Sequence, residues 1–184
     1  MSLPIYTIGH STRQLDEFIA LLTAYGVRQL VDIRSMPRSR RHPHFSSDAL
    51  SASLRDRAIV YRHSPALGGM RKPRRDSRNT AWRVEGFRGY ADHMETDGFR
   101  AALKELAALA SEAPTAIMCA EAVWWRCHRQ LVADALVARG MDVRHITVLP
   151  AGPPGPTRST GAPAHTLTDF AQVEDGLVTY RSLI

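Results

Sequence analysis

Ala116-Ile-Met-Cys-Ala-Glu-Ala-Val-Trp-Trp-Arg-Cys-His-Arg-Gln-Leu131 is the stretch that decides the fold. Ala116 to Met118 is a short apolar run after Pro114, of a length that suits a buried strand. Cys119 and Glu121 fall where that strand should end. Cys127, His128 and Arg129 fall where the next helix should begin. A thiol, a carboxylate, an imidazole and a guanidinium therefore gather between a strand's carboxyl end and a helix's amino end. In open α/β sheets, ligands bind along that edge.

Working outward, the same strand-then-helix grammar repeats. Leu3 to Ile8 reads as a first strand ending in Gly9-His10-Ser11-Thr12. A helix follows, with Leu15, Phe18, Ile19 and Leu22 on one face, and Ser11 with Gln14 fits a capping box. That turn is a workable anion site. Its single glycine does not make a dinucleotide fingerprint. Gln29 to Ile33 is the second strand, with Asp32 near its end. The loop Arg34 to His44 follows, irregular and basic, with two prolines and four arginines. Ser46 or Ser47 is expected to cap a short helix to about Arg55, and Ala58 to Tyr61 to form a third strand. Phe87 to Met94 reads as a helix, and Asp97 is expected to cap another. The helix after the central strand should run from Trp125 or Cys127 to Arg139, with Gly140 as its stop. Val143 to Val148 is the fifth strand.

Strands alternating with helices predict an α/β fold, a three-layer sandwich with a mostly parallel, Rossmann-like central sheet. Residues 1–149 read as a single α/β domain. Residues 150–184 read as a Pro/Gly-rich linker and a C-terminal tail. Phe170, Val173, Leu177, Tyr180 and Leu183 give the tail some apolar content, and its docking is left open.

With 184 residues, 44% hydrophobic and 23% charged, the chain has an ordinary globular composition. No apolar run approaches the ~20 residues of a membrane span, so no membrane partner is expected. No signal peptide is expected either, and two cysteines do not make a disulfide scaffold, so a cytoplasmic location is expected. Lys+Arg outnumber Asp+Glu by 24 to 18. Nearly all the bases are arginine, which suits phosphate and carboxylate.

Three strand ends carry polar clusters: His10-Ser11-Thr12, Asp32-Arg34 with Ser39-Arg40, and Cys119-Glu121 with His128-Arg129. In a parallel sheet all three lie along one edge. His10, Asp32, Cys119 and Glu121 are therefore expected in one cleft. Cys119 is the natural nucleophile, its thiolate favoured by a helix amino end and by arginines, and it should alkylate faster than Cys127. Glu121 reads as a general acid/base or as an orienter of Arg129 or Arg34. His128 reads as a proton shuttle or a helix cap. Trp124 and Trp125 either stack on a base or pack the helix start. Cys119, Cys127, His128 and His10 are soft ligands, but Cys-x7-Cys-His matches no recognised zinc spacing. No metal or cofactor is expected. Residues 70–83, basic and aperiodic after Gly68-Gly69, are expected to form a mobile lid.

Thr7-Ile8-Gly9-His10-Ser11-Thr12, Leu30-Val31-Asp32-Ile33-Arg34, Pro37-x-Ser39-Arg40, Leu67-Gly68-Gly69-x-Arg71, Phe87-Arg88-Gly89-Tyr90-Ala91 and Met118-Cys119-Ala120-Glu121 with Cys127-His128-Arg129 form an ordered set. Together they resemble the bacterial family catalogued as domain of unknown function 488, over about residues 4–147. The resemblance implies an α/β domain with motif residues at strand ends, and no established reaction. A looser similarity to rhodanese-like domains rests on a strand ending Val-Asp-x-Arg and a second ending in Cys. There the loop after the Cys closes on an arginine sooner than it does here, at Arg126.

Two classes of function follow. One is an enzyme acting on a phosphate-bearing substrate, a nucleotide or nucleic acid. Cys119, Glu121, His10, Asp32 and His128 would serve the chemistry. Ser11, Thr12, Arg34, Ser39, Arg40, Arg71, Tyr90 and Arg129 would hold the substrate. The other is a non-catalytic nucleic-acid-binding module using the basic segment 34–83. Sulfur or acyl transfer on Cys119 is the remaining mechanism. Whether the protein is an enzyme at all, and its oligomeric state, stay open.

Overall fold

The structure is a computed structural model and describes residues 3–150 and 161–182. Five parallel strands form the central sheet: β1 (Ile5–Gly9), β2 (Gln29–Asp32), β3 (Val60–His63), β4 (Thr115–Cys119) and β5 (Val143–His145). Their order is β3-β2-β4-β1-β5. β1, β2 and β4 are buried along their whole length, as expected of parallel strands covered on both faces.

Helices α1 (Leu15–Ala24) and α2 (Ser47–Arg55) cover one face. Phe18, Leu22, Leu50 and Leu54 pack there against Tyr6, Ile8, Leu30 and Met118. Helices α3 (Glu85–Met94), α4 (Asp97–Glu112) and α5 (Arg129–Val137) cover the other. On α4, Phe99, Leu103, Leu106 and Ala110 make one apolar stripe toward Val31, Ile117 and Cys119. The α/β sandwich with a parallel sheet is thus the observed architecture.

Local details differ from expectation. Ser11 does not cap α1: it adopts φ 48°, and the helix starts four residues later with Gln14 at its cap position and no side-chain cap. Ser46 takes the cap position of α2, also without a side-chain bond. Thr96, not Asp97, caps α4, its hydroxyl accepting from the Phe99 amide. β3 starts two residues later than expected, because Ala58 turns at φ 55°. After β4 a 3-10 turn spans Trp124–Arg126, so α5 begins only at Arg129.

The C-terminal tail docks. β6 (Gln172–Glu174) and β7 (Leu177–Thr179) form an antiparallel hairpin, and Val178 and Tyr180 insert into the α3/α4/α5 face. Tyr180 donates its hydroxyl to Asp134 on α5 at 2.7 Å. The expected linker lies mostly at 151–160, outside the described residues, as does Leu183. No helix among the described residues is long and apolar enough to cross a membrane.

The expected lid is instead tied down. Asn79 is fully buried; its amide donates to Asp92 and Glu95, and its carbonyl accepts from the Tyr180 backbone. Ala81 donates to the Tyr180 carbonyl, and Ser77 to Asp92. Satisfied buried polar groups of this kind fix a segment in place.

Candidate functional site

The chain leaves β1 toward one face and β4 toward the other, so the sheet's direction of progression reverses between these neighbours. In doubly wound sheets a crevice opens at that point. Here the His10 and Ser11 amides still donate to the Cys119 and Ala120 carbonyls, so the crevice opens beyond Ser11. Gly9 is required by this approach, since a Cβ would sit on the Glu121 carbonyl.

The cleft that results measures about 490 Å³. The turn after β1 supplies His10, Ser11 and Thr12. The loop after β2 supplies Arg34, Ser39, Arg40, Arg41 and His42, with Met36 and Arg38. Among the described residues, no carboxylate lines it. Arg38, Arg40 and Arg41 are exposed.

Beneath the rim, Arg34 and Asp32 form a buried pair. Arg34 Nη2 lies 2.6 Å from Asp32 Oδ2, and Arg34 Nε donates to both carboxylate oxygens. Tyr61 donates to Asp32 at 2.7 Å, and Arg34 also donates to the Phe45 carbonyl. Burial and the adjacent Asp32 carboxylate push the Tyr61 hydroxyl above its ordinary range. Asp32 therefore positions Arg34; it has no free edge for proton transfer.

His10 stacks on Phe45, with centroids 4.3 Å apart. Its Nδ1 donates to the Ser11 carbonyl, which fixes the tautomer and leaves Nε2 as an acceptor facing Arg34 Nη1 at 3.4 Å. Burial lowers its pKa to about 4, so the ring is neutral near pH 7. Ser39 braces the loop, its hydroxyl accepting from the His42 amide.

The cysteines lie elsewhere. Successive strand side chains alternate faces. Asp32 is in register with Met118, and Gly9 with Cys119. Asp32 and His10 consequently face α1 and α2, while Cys119 faces α5. The four residues share one sheet edge but not one cleft, which corrects the sequence expectation.

On that second face, Cys119 and Cys127 place their sulfurs 3.2 Å apart. Arg129, 1% exposed, donates Nε to Cys119 at 3.1 Å and to Cys127 at 3.3 Å. Its Nη2 donates to the Glu121 and Ala122 carbonyls, and Nη1 faces the Thr7 hydroxyl. Every arm is used internally, so Arg129 is not free to hold substrate. Cys119 is 2% exposed, and the shared hydrogen bond and burial push its thiol well up. Cys127, bonded by Cys119 and facing Arg129, drops to about 6. Of the two, Cys127 is the more accessible, since it lines a cavity while Cys119 is buried under α5, whereas the sequence reading put Cys119 forward. The burial of Cys119 leaves a substrate no path to its sulfur, which argues against sulfur or acyl transfer initiated there.

Other expected site residues take structural posts. The Glu121 carboxylate is exposed and accepts from the Ala122 amide, touching neither Arg34 nor Arg129. His128 donates Nε2 to the Ile33 carbonyl, and burial lowers its pKa to about 4. Tyr90 donates to the Leu67 carbonyl at 2.6 Å. Arg71 donates to the Gly68 and Pro65 carbonyls, clamping its own turn. Trp124 packs, stacking on His145 with centroids 4.0 Å apart, while Trp125 is exposed.

One buried chain had no local signature in the sequence. Thr7 meets His145 Nδ1 at 2.7 Å, His145 Nε2 meets His165 Nδ1 at 2.9 Å, and His165 Nε2 meets Asp134 at 2.9 Å. Thr7 and His145 are register partners on β1 and β5, and His165 comes from the tail. Only pairing across the sheet reveals the set.

Among curated proteins and among solved structures, none matches the chain. The model of a family described as Domain of unknown function DUF488 matches residues 14–136, from the start of α1 almost to the end of α5. By that match over most of its length, the chain belongs to the DUF488 family.

Proposed function

We propose that the protein acts on a phosphate-bearing substrate of the nucleotide or nucleic-acid class, held in the basic cleft over the carboxyl ends of β1 and β2. The observation that carries this is the rim's one-sided charge: Arg38, Arg40 and Arg41 line it exposed, and among the described residues no carboxylate lines it. Arginine forks match phosphate oxygens in pairs. Arg34, held by Asp32, the Phe45 carbonyl and His10, braces the loop that presents the exposed arginines. His10, neutral and fixed in tautomer, accepts at Nε2 from Arg34 Nη1 and so ties the turn after β1 to that loop. Ser11, Thr12 and Ser39 add hydroxyl groups at the rim. Cys119 and Cys127 take no part in this cleft.

Calorimetric titration with a nucleoside diphosphate tests the proposal. Arg38→Gln/Arg40→Gln should weaken binding at least tenfold with the fold intact, since both side chains are exposed. Unchanged affinity would refute it. The non-catalytic nucleic-acid reading draws on the same exposed arginines. A short single-stranded oligonucleotide distinguishes the two, because backbone contacts give a much steeper loss of affinity with salt than one bound nucleotide does.

A further inference from the structure

The face of the sheet opposite the basic cleft holds a second set of chemically competent groups. Arg129 is a buried cation, and among the described residues it makes no ion pair with a carboxylate. A buried charge without a counter-charge is costly. The groups on its Nε are two sulfurs. A dithiol that had lost one of its two protons would supply the missing anion, and the 3.2 Å gap between the sulfurs is short enough for the other proton to bridge them. The Thr7 hydroxyl and the Glu121 and Ala122 carbonyls complete the guanidinium's bonds, so the geometry is fully determined.

The two sulfurs differ in access. Cys119 is sealed under α5. Cys127 is half-buried and lines a cavity of about 280 Å³ with Gly69, Met70, Phe87, Tyr90 and Arg126. A disulfide bond is about 2.0 Å long, so the sulfurs need to close by only about 1.2 Å to join.

We propose that Cys119 and Cys127 are a redox-active dithiol that exchanges electrons with a low-molecular-weight disulfide entering the cavity beside Cys127. The Cys127 thiolate attacks one sulfur of the disulfide. The ligand's S–S bond breaks, a mixed disulfide forms on Cys127, and half of the ligand leaves as a thiolate. Cys119 then gives its proton to that thiolate, and its sulfur attacks the Cys127 sulfur. The mixed disulfide breaks, the Cys119–Cys127 bond forms, and the second half leaves as a thiolate. The protein loses two electrons; the ligand gains them and ends as one thiol and one thiolate. Oxidation removes the anion from beside Arg129 and leaves that cation unpaired in the core. The oxidised form should therefore be the less stable one, and an oxidising partner to other thiols.

This site is independent of the basic cleft, and either can fail alone. The test is intact-mass spectrometry of the full chain after incubation with excess hydroxyethyl disulfide at pH 7, paired with thermal melts. Wild type should become lighter by two hydrogens with no adduct retained. Cys119→Ser should trap one thioethanol adduct on Cys127, and Cys127→Ser should stay unmodified. The oxidised wild type should melt several degrees below the reduced protein. Independent adducts on both cysteines, no reaction before unfolding, or an oxidised form that melts higher would each overturn the proposal. The wild-type mass and melt stand even if a variant does not fold.

Discussion

Arg129 Nε lies 3.1 Å from the Cys119 sulfur, inside the core and on the far side of the sheet from Arg34. The hydrogen bond from Cys119, and after it the Arg129 charge, hold the neighbouring Cys127 thiol down at about 6. Arg129→Gln should therefore move the pH midpoint of Cys127 alkylation upward, toward the ~8.5 of a free thiol. Rates of iodoacetamide labelling between pH 5 and 9 check this. A midpoint that stays put would remove Arg129 from the account of the thiol.

Asp32 and Arg34 form the other buried charge relationship. Removing one partner of such a pair typically costs about 3–5 kcal/mol, because the other charge is left stranded. Asp32→Ala should lower the urea stability by that amount. Tyr61→Phe removes only one donor to the carboxylate and should cost about 1–2 kcal/mol. Equal losses in the two variants would argue against a buried ion pair.

Acid should unfold the protein through its neutral histidines. His10 and His128 stay unprotonated in the fold down to about pH 4, and His145 to about 3, each chiefly because of burial. The unfolded chain takes up these protons near 6.5. A lowered folded pKa gives stability that is complete above 6.5 and drains as pH falls toward 4. Cys127 contributes with the same sign, but at higher pH, between an ordinary thiol value and about 6. Urea midpoints measured from pH 6 to 4.5 should fall steadily. A flat profile there would contradict neutral burial of these rings.

The segment 70–83 should resist trypsin in the native state despite its arginines. Asn79 holds it to Asp92, Glu95 and Tyr180. Asn79→Ala should open it to cleavage at Arg74 and Arg78 at a rate several times that of wild type. Rapid cleavage of the wild-type chain there would restore the idea of a mobile lid.

The sheet was legible because its strands are apolar runs closed by polar turns, and because helices such as α4 carry regular stripes. The apolar run before Cys119 also marks it as a strand end, where β4 does stop. Its facing was not legible, although period-two alternation between Met118 and Cys119 already contained it once the register with Asp32 was known. That register is a contact across some ninety residues, and nothing local encodes it. The same applies to Asn79, Asp134 and His165, ordinary polar residues in sequence that become buried anchors only when the tail returns to α5. The pairing of the two sulfurs was hidden for the same reason, because they meet each other and Arg129 only after the 3-10 turn at Trp124–Arg126 folds back.

Anion binding in the basic cleft can be read residue by residue by amide chemical-shift mapping. Pyrophosphate added to labelled protein at low ionic strength should shift the amides of Ser11, Thr12, Ser39 and Arg40 saturably. The amides of Met70 and Cys127, on the opposite face, should stay unmoved. No saturable shift, or shifts confined to the cavity at Cys127, would rule out the basic cleft as the anion site.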